Sequence, residues 1–148
     1  MTDSVIPGRA AIRRQDVTIH RPVTIENRTS LLRDAVSIIE QDYASELSLD
    51  DVARRIASSR RQLQRAYAEI GRTTFRRHLA HVRMKRAAEM LQDGRLTVRE
   101  VAHSVGYRQP AQFAKAFRRQ FGVAPSDYRA AARAGHAGRH ADDAQLAA

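Results

Sequence analysis

The feature that most constrains the fold of this sequence is an internal repeat with an offset close to fifty residues. Each copy has the apolar pattern of a short helix, a tight turn and a second short helix, which is typical of a helix-turn-helix unit. Repeats of such a period also build helical solenoids, but only two copies are present. The matching positions are Asp51-Val52-Ala53, Ile56, Leu63, Tyr67 and Gly71 in the first copy, and Glu100-Val101-Ala102, Val105, Phe113, Phe117 and Gly122 in the second.

A longer helical pattern connects the two copies. We expect Thr73 to be its N-cap, and Asp93-Gly94 to end it just after Gln92. At about 1.5 Å rise per residue, this helix would be roughly 30 Å long. Its apolar stripe consists of Phe75, Leu79, Val82, Ala87 and Met90.

The sequence therefore predicts an all-α fold with two helix-turn-helix subdomains, a long connecting helix and about seven helices in total. We expect the first helix to be capped by Ser30, because the apolar spacing of one helix face begins directly after it, at Leu31, Leu32, Ala35, Val36, Ile38 and Ile39. Before it, Pro22 separates two short β-prone segments, Val17-Thr18-Ile19 and Val23-Thr24-Ile25. Gly71 is expected to end the second helix of the first copy, and Pro125 to begin a last short helix through Ala132. The expected organisation is a basic, partly disordered N-terminal arm over residues 1–29, the first subdomain over 30–72, the connecting helix over 73–93, the second subdomain over 94–133 and a flexible tail over 134–148.

The charge of the chain is concentrated around the first copy. The 148 residues carry a formal net charge of +10, and residues 54–86 contain eleven arginines and lysines against a single acid, Glu69. Such a basic stretch favours a polyanionic partner, most often nucleic acid. A membrane surface would be the other candidate, but the chain has no long apolar run and no signal-peptide core. We therefore expect a cytoplasmic, nucleoid-associated protein with no membrane partner.

The second helix of the first copy is the candidate reading helix. With Leu63, Tyr67 and Ile70 facing inward, the opposite face carries polar side chains at the spacing of one helical stripe. Arginine pairs with guanine and glutamine with adenine in the major groove, so we expect this face to read DNA bases. Its residues are Arg61, Gln64, Arg65 and Ala68, of which the first three carry the hydrogen-bonding groups.

The second copy has a less polar outward face. Ala111 could contact a thymine methyl group, Gln112 a base edge, and Lys115 either a base or a phosphate. We expect the first copy to contribute more of the sequence discrimination. Contacts to the DNA backbone are expected from Arg60, Arg72, Arg76, Arg108 and Arg119.

The connecting helix sets the distance between the two reading helices. A rigid connector near 30 Å can place them about one turn of DNA apart, ~34 Å, on one side of the duplex. A monomer would then suffice to occupy two adjacent major-groove segments. An imperfect match would require DNA bending, at a cost of about 1–6 kcal/mol.

Several short motifs occur together in the second copy and in the connecting helix. They are Val101-Ala102, Val105-Gly106-Tyr107, Phe113, Phe117-Arg118-Arg119, Phe121-Gly122, Pro125 and Tyr128-Arg129, with Arg83, Ala87 and Leu91 in the connecting helix. With these motifs, the sequence from about Leu31 to Arg133 resembles the DNA-binding domain of the AraC/XylS family. The resemblance implies a bipartite transcription regulator, usually an activator that contacts RNA polymerase, with reading residues at Arg61, Gln64 and Arg65 and at Pro110, Ala111, Gln112 and Lys115.

Three positions depart from the family pattern. Ala57 stands at a turn position where glycine is frequent, and a strained alanine there would cost roughly 1 kcal/mol. Thr74 replaces the proline that commonly opens the connecting helix, and Gln109 is a poorer N-cap than serine or aspartate. These departures concern stability more than function.

Alternatives from other classes remain open: a protein-interaction module, an unspecific DNA-binding protein whose affinity follows salt alone, and an enzyme. Metal-ligand spacing occurs at the pair His78 and His81 and at the pair Glu100 and His103, but neither has a complete ligand set. The chain has no cysteine, which excludes disulfides and thiolate metal sites. We expect no catalytic residue, no metal and no cofactor.

Overall fold

The structure, a computed structural model, describes the backbone of residues 20–146 and the side chains of residues 24–137. The described residues form seven α-helices and no strand, so the all-α prediction is confirmed. The helices are α1 (His20–Asp42), α2 (Leu49–Arg55), α3 (Arg60–Ala66, continued by a π-helical turn over Tyr67–Gly71), α4 (Phe75–Asp93), α5 (Val98–Ser104), α6 (Pro110–Phe121) and α7 (Pro125–Leu146).

Three short helices begin with a reciprocal cap. At α2, the Ser48 hydroxyl accepts a hydrogen bond from the Asp51 amide (3.1 Å), and the Asp51 carboxylate accepts one from the Ser48 amide (3.1 Å). The same pair of bonds starts α3, between Ser59 and Gln62, and α5, between Thr97 and Glu100. These bonds hold the pKa of both carboxyls below the usual range. Helices this short are marginal alone, so the caps help to fix where each begins.

The apolar side chains form two cores, and α4 contributes to both. The first half of α4 supplies Leu79 and Val82 to a core with α1, α2 and α3. Its second half supplies Met84, Ala87, Ala88 and Leu91 to a core with α5 and α6, which contains the fully buried Phe113 and Phe117. We call these assemblies the first unit and the second unit. One continuous helix therefore carries both.

At two positions with a left-handed backbone, the first unit has a residue other than glycine. Gly106 and Gly122 of the second unit have φ angles of 90° and 77°. Ala57, which matches Gly106 in the repeat, and Arg72, which follows the predicted match Gly71, have φ angles of 52° and 49°. The expected strain at Ala57 is confirmed, because a Cβ atom disfavours this conformation. The helix ends at Gly71, as predicted, but the left-handed cap residue is Arg72 and not Gly71.

Replacing Ala57 by glycine is expected to raise the free energy of unfolding by about 1 kcal/mol, because glycine adopts a positive φ without steric cost. Thermal and urea denaturation would measure the gain. Ala130→Gly, at an exposed position within α7, is the matched control and should lower stability by roughly 1 kcal/mol. A loss of stability at both positions would contradict the assignment of strain to Ala57.

The first helix begins earlier than the sequence predicted. It starts at His20, so the predicted Ser30 N-cap is wrong and Ser30 lies inside the helix. Pro22 falls in the first turn, where the missing amide hydrogen has no intrahelical partner and proline is tolerated. Residues 20–29, assigned to an N-terminal arm, are therefore helical, while residues 1–19 of that arm lie outside the described residues.

The last helix is longer than predicted. α7 runs from Pro125 to Leu146, whereas the sequence suggested an end near Ala132 and a flexible tail over residues 134–148. The composition of the segment, rich in alanine, glycine, histidine and aspartate, favoured a tail, but alanine has the highest helix propensity and occupies many of its positions.

The ends of the connecting helix agree closely with expectation. Thr74, rather than the predicted Thr73, is the N-cap, and its hydroxyl accepts a hydrogen bond from the Arg77 amide (3.2 Å). Gly94 ends the helix with a φ of 74°. Gln109 makes no side-chain capping bond at α6, as predicted, and Pro110 occupies the first position of that helix.

Candidate nucleic-acid interface

The outward face of α3 consists of exposed polar side chains above a buried base. Leu63, Ala66 and Tyr67 are buried, and Leu63 and Tyr67 belong to the first core. Their packing fixes the rotation of α3 about its axis, so the opposite face is directed away from the core. That face carries Arg61, Gln64, Arg65 and Ala68, all of them exposed. The predicted reading residues of the first unit therefore lie together on one solvent-accessible stripe.

The outward face of α6 is built in the same way. Phe113 and Phe117 are completely buried, and their rings contact each other at a centroid distance of 5.8 Å. The four side chains predicted to contact DNA from this helix, Ala111, Gln112, Lys115 and Arg119, are exposed. The second unit thus presents one long amide, one lysine and one arginine where the first presents two arginines and a glutamine.

A cleft beside α3 brings a predicted base-reading residue next to predicted backbone contacts. The cleft encloses about 670 Å³. Gln64 lies on its wall with Arg60 and Arg76, the latter from the first turn of α4. Arg60 forms an ion pair with Asp50 of α2 (2.9 Å). Because both partners are exposed, this pair is weak and a phosphate could replace the carboxylate at little cost.

The remaining predicted backbone residues differ in their surroundings. Arg72 is exposed at the left-handed end of the π-helical turn. Arg108 is exposed in the turn before α6 and forms an ion pair with Glu46. Arg119 lies on the wall of a groove between α4 and α6. All five predicted backbone arginines are therefore accessible, but they extend over both units rather than forming a single cluster.

Sequence reasoning did not single out Arg77 as a site residue. It is exposed near the start of α4 and lines the groove between α4 and α6 together with Arg119. The basic run over residues 54–86 includes Arg77, but the run alone could not show which of its arginines faces the second unit. The groove therefore adds one arginine to the candidate phosphate contacts.

The two histidines of α4 lie within hydrogen-bonding distance of side chains from neighbouring helices. His78 Nδ1 lies 3.0 Å from the Tyr67 hydroxyl, and His81 Nδ1 lies 3.1 Å from the Gln120 amide nitrogen. Burial lowers the pKa of His78 and raises that of Tyr67. Among the described residues, no group of three or more histidine, cysteine or acidic side chains could hold a metal ion. Within the same part of the chain, no helix is long and apolar enough to cross a membrane.

Comparison with known proteins identifies the fold as one found in transcription regulators. A family described as "Helix-turn-helix domain" matches residues 52–131, which is more than half of the chain. The chain is 30% identical over 105 residues to the HTH-type transcriptional activator RhaS of Escherichia coli, a match covering 71% of this chain and 38% of RhaS. An AraC-type regulator structure from Chromobacterium violaceum matches with a TM-score of 0.67 and 27% identity, over 72% of this chain and 96% of that one. The chain belongs to the AraC/XylS family.

Other AraC/XylS-type relatives are similar to this chain. The Msm operon regulatory protein of Streptococcus mutans is 33% identical over 92 residues, which is 62% of this chain and 33% of that protein. The DNA-binding domain of AdpA, solved in complex with a target DNA, matches with a TM-score of 0.65 and 30% identity over 70% of this chain and 93% of that one. The chain thus matches about a third of the length of its curated AraC/XylS relatives and nearly the whole length of the isolated DNA-binding domain.

Proposed function

We propose that this chain binds a specific double-stranded DNA site by placing α3 and α6 in two adjacent segments of the major groove. The observation that carries the proposal is the pair of exposed polar faces, each on the second helix of a helix-turn-helix unit and both carried by the continuous helix α4. At ~1.5 Å per residue, the 19 residues of α4 span roughly 28 Å. That length is comparable to one turn of DNA, ~34 Å, so both reading helices can reach one side of the duplex, and an imperfect match would require the DNA to bend.

The first unit supplies the stronger base contacts in this proposal. Arg61 and Arg65 would each form bidentate hydrogen bonds with guanine, and Gln64 with adenine. In the described part of the chain, neither arginine forms an ion pair with an acidic side chain, so binding a base breaks no salt bridge there. Ala111, Gln112 and Lys115 would read the second segment with fewer hydrogen bonds.

Phosphate contacts orient the protein on the duplex in this proposal. Arg60, Arg72, Arg76, Arg108 and Arg119 would bind the DNA backbone, which fixes register without selecting sequence. Because one chain already carries two reading helices, a monomer suffices for binding. We further propose that the protein acts in the cytoplasm at the nucleoid, without a catalytic step or a cofactor, and activates transcription through contact with RNA polymerase.

Selection from a randomised duplex library at ~150 mM salt tests the proposal, with the wild-type chain and the Arg65→Ala variant run in parallel. The wild-type chain is expected to select two short motifs about one helical turn apart. Arg65→Ala should lose the preference for one base pair in one motif, because the variant lacks the bidentate contact of Arg65. That contact is expected to contribute about 1–3 kcal/mol of discrimination against the wrong base. Sequencing of the selected pools gives both results.

The matched control for this experiment is Arg54→Ala. Arg54 is exposed on α2, and its only ion pair in the described part of the chain is with Asp51 of its own helix. The substitution removes the same charge as Arg65→Ala but lies outside the proposed reading face. We expect Arg54→Ala to retain both motifs. If no motif is selected by the wild-type chain, or if the two variants lose preference equally, the proposed reading of DNA by α3 is wrong.

A further inference from the structure

The two units contact each other at a junction beside the middle of α4. The loop between α1 and α2 belongs to the first unit, and the turn between α5 and α6 belongs to the second. Arg83 of α4 lies between them. Its Nε donates a hydrogen bond to the Tyr43 carbonyl oxygen (2.7 Å), and its Nη2 donates one to the Ser45 carbonyl oxygen (2.8 Å). Arg83 therefore ties the loop of the first unit to the connecting helix.

The turn of the second unit packs closely against the same guanidinium group. The Tyr107 ring lies with its centroid 5.7 Å from the Arg83 guanidinium carbon, within cation–π distance. At Gly106 there is no room for a side chain, because a Cβ atom would lie 2.8 Å from the Ala44 carbonyl oxygen and 3.1 Å from the Arg83 guanidinium. The backbones of the two units thus approach each other directly, with Arg83 between them.

Two other contacts cross the same junction. Tyr43 packs against both hydrophobic cores, and Glu46 of the first unit forms an ion pair with Arg108 of the second. The ion pair is exposed and contributes little. Arg83 is half-buried, and burial lowers the pKa of its guanidinium, which still carries its charge in proteins. Its two charged hydrogen bonds to backbone carbonyls, of which the one to Tyr43 is part-buried, are the stronger interaction at this junction.

From this geometry we propose that Arg83 is a positioning residue that fixes the orientation of the first unit relative to the second, and so sets the spacing between the two DNA half-sites. The inference rests on the proposed binding to a bipartite DNA site. A rotation of roughly 10° acting over ~20 Å would displace a reading helix by about 3.4 Å, the rise of one base pair. Small movements at the junction are therefore enough to change which spacing fits both helices.

The orientation of the two units is measured without DNA. Since the chain contains no cysteine, Asp34→Cys in α1 and Ala130→Cys in α7 provide two exposed sites for spin labels. Pulsed electron paramagnetic resonance then gives the distribution of the distance between them. We expect Arg83→Ala to broaden this distribution about two-fold or more, because the loop is no longer bonded to α4. Arg83→Lys, which cannot serve both carbonyls with one planar group, should be intermediate.

The spacing preference is measured with duplexes that contain both half-sites separated by different numbers of base pairs. Wild-type protein is expected to bind one spacing best. The penalty for a spacing changed by two base pairs is the ratio of its Kd to the Kd of the best spacing. For Arg83→Ala, this ratio should fall about ten-fold, because flexibly linked modules tolerate more separations. Lys85→Ala is the matched control: Lys85 is exposed on the same helix, and its removal should change neither measurement.

The two measurements separate this inference from the proposed function. If Arg83→Ala keeps the wild-type distance distribution and spacing profile while remaining folded, Arg83 does not position the units. If Arg83→Ala fails to fold, Arg83→Lys provides the test, and an unchanged distance distribution in that variant overturns the inference. If the wild-type chain shows no spacing preference at all, the proposed bipartite binding fails, while the spin-label distances still report on the junction.

Discussion

Substitution of Phe117 by alanine is expected to lower the free energy of unfolding of the second unit by about 3–5 kcal/mol. Phe117 is completely buried, and its ring lies 4.6 Å from that of Phe121 and 5.3 Å from that of Tyr128, between centroids. Alanine would leave a cavity that the surrounding side chains fill only in part, because a packed core relaxes incompletely around a lost ring. Since a whole small domain is stable by roughly 5–15 kcal/mol, this loss is a large fraction of the stability available to the second unit.

Amide hydrogen exchange measures where the loss occurs. Protection in α5 and α6 should fall, while α2 and α3, which pack in the first core, should retain most of theirs. Phe117→Leu keeps a large apolar side chain at the same position and should have a clearly smaller effect. An equal loss of protection in both units after Phe117→Ala would show that the two cores unfold as one, contrary to this expectation.

Substitution of Gly106 by alanine is expected to lower the free energy of unfolding by about 2–4 kcal/mol, from two separate causes. The φ of 90° is strained for any residue with a Cβ atom. In addition, that Cβ would lie 2.8 Å from the Ala44 carbonyl oxygen, a backbone atom that cannot move without shifting the loop. Thermal and urea denaturation would measure the loss.

Gly122→Ala separates the two causes. Gly122 has a similar φ of 77°, but nothing lies within 4 Å of a Cβ atom built there. This variant should therefore show only the conformational strain, about 1 kcal/mol. The difference between the two variants then measures the clash at the junction. Equal losses at the two glycines would mean that the loop near Ala44 moves aside freely.

Much of the fold was predictable because its signals are local. Ser48 with Asp51 and Thr97 with Glu100 have the spacing of a capping box, and Gly94 and Gly122 mark helix ends. The repeat supplied a second check, because each pattern occurs twice. The outward faces of α3 and α6 follow from helical periodicity once the buried positions are known, so the predicted reading residues are exposed. Their roles stay predictions.

The wrong predictions concern residues whose local sequence signal is compatible with two different structures. Pro22 is interpreted from the sequence as separating two β-prone stretches of a non-helical arm, although proline is equally compatible with the first turn of a helix. Gly71 is predicted as a left-handed cap because it is matched with Gly122 in the repeat. The offset of fifty residues between Leu63 and Phe113 instead places Arg72 opposite Gly122, and Arg72 has the positive φ. The junction at Arg83 has no local signal at all, since it depends on two segments about sixty residues apart in sequence meeting beside one helix.

The bonds made by Arg83 have a consequence for how this junction changes during evolution. Its partners are the carbonyl oxygens of Tyr43 and Ser45, which every amino acid provides. A substitution that changes only the side chain at position 45 therefore leaves the hydrogen bond intact and creates no pressure for a compensating change at position 83. Paired substitutions between homologues would not reveal this contact, and related chains could diverge in the loop while keeping the same arrangement of their two units.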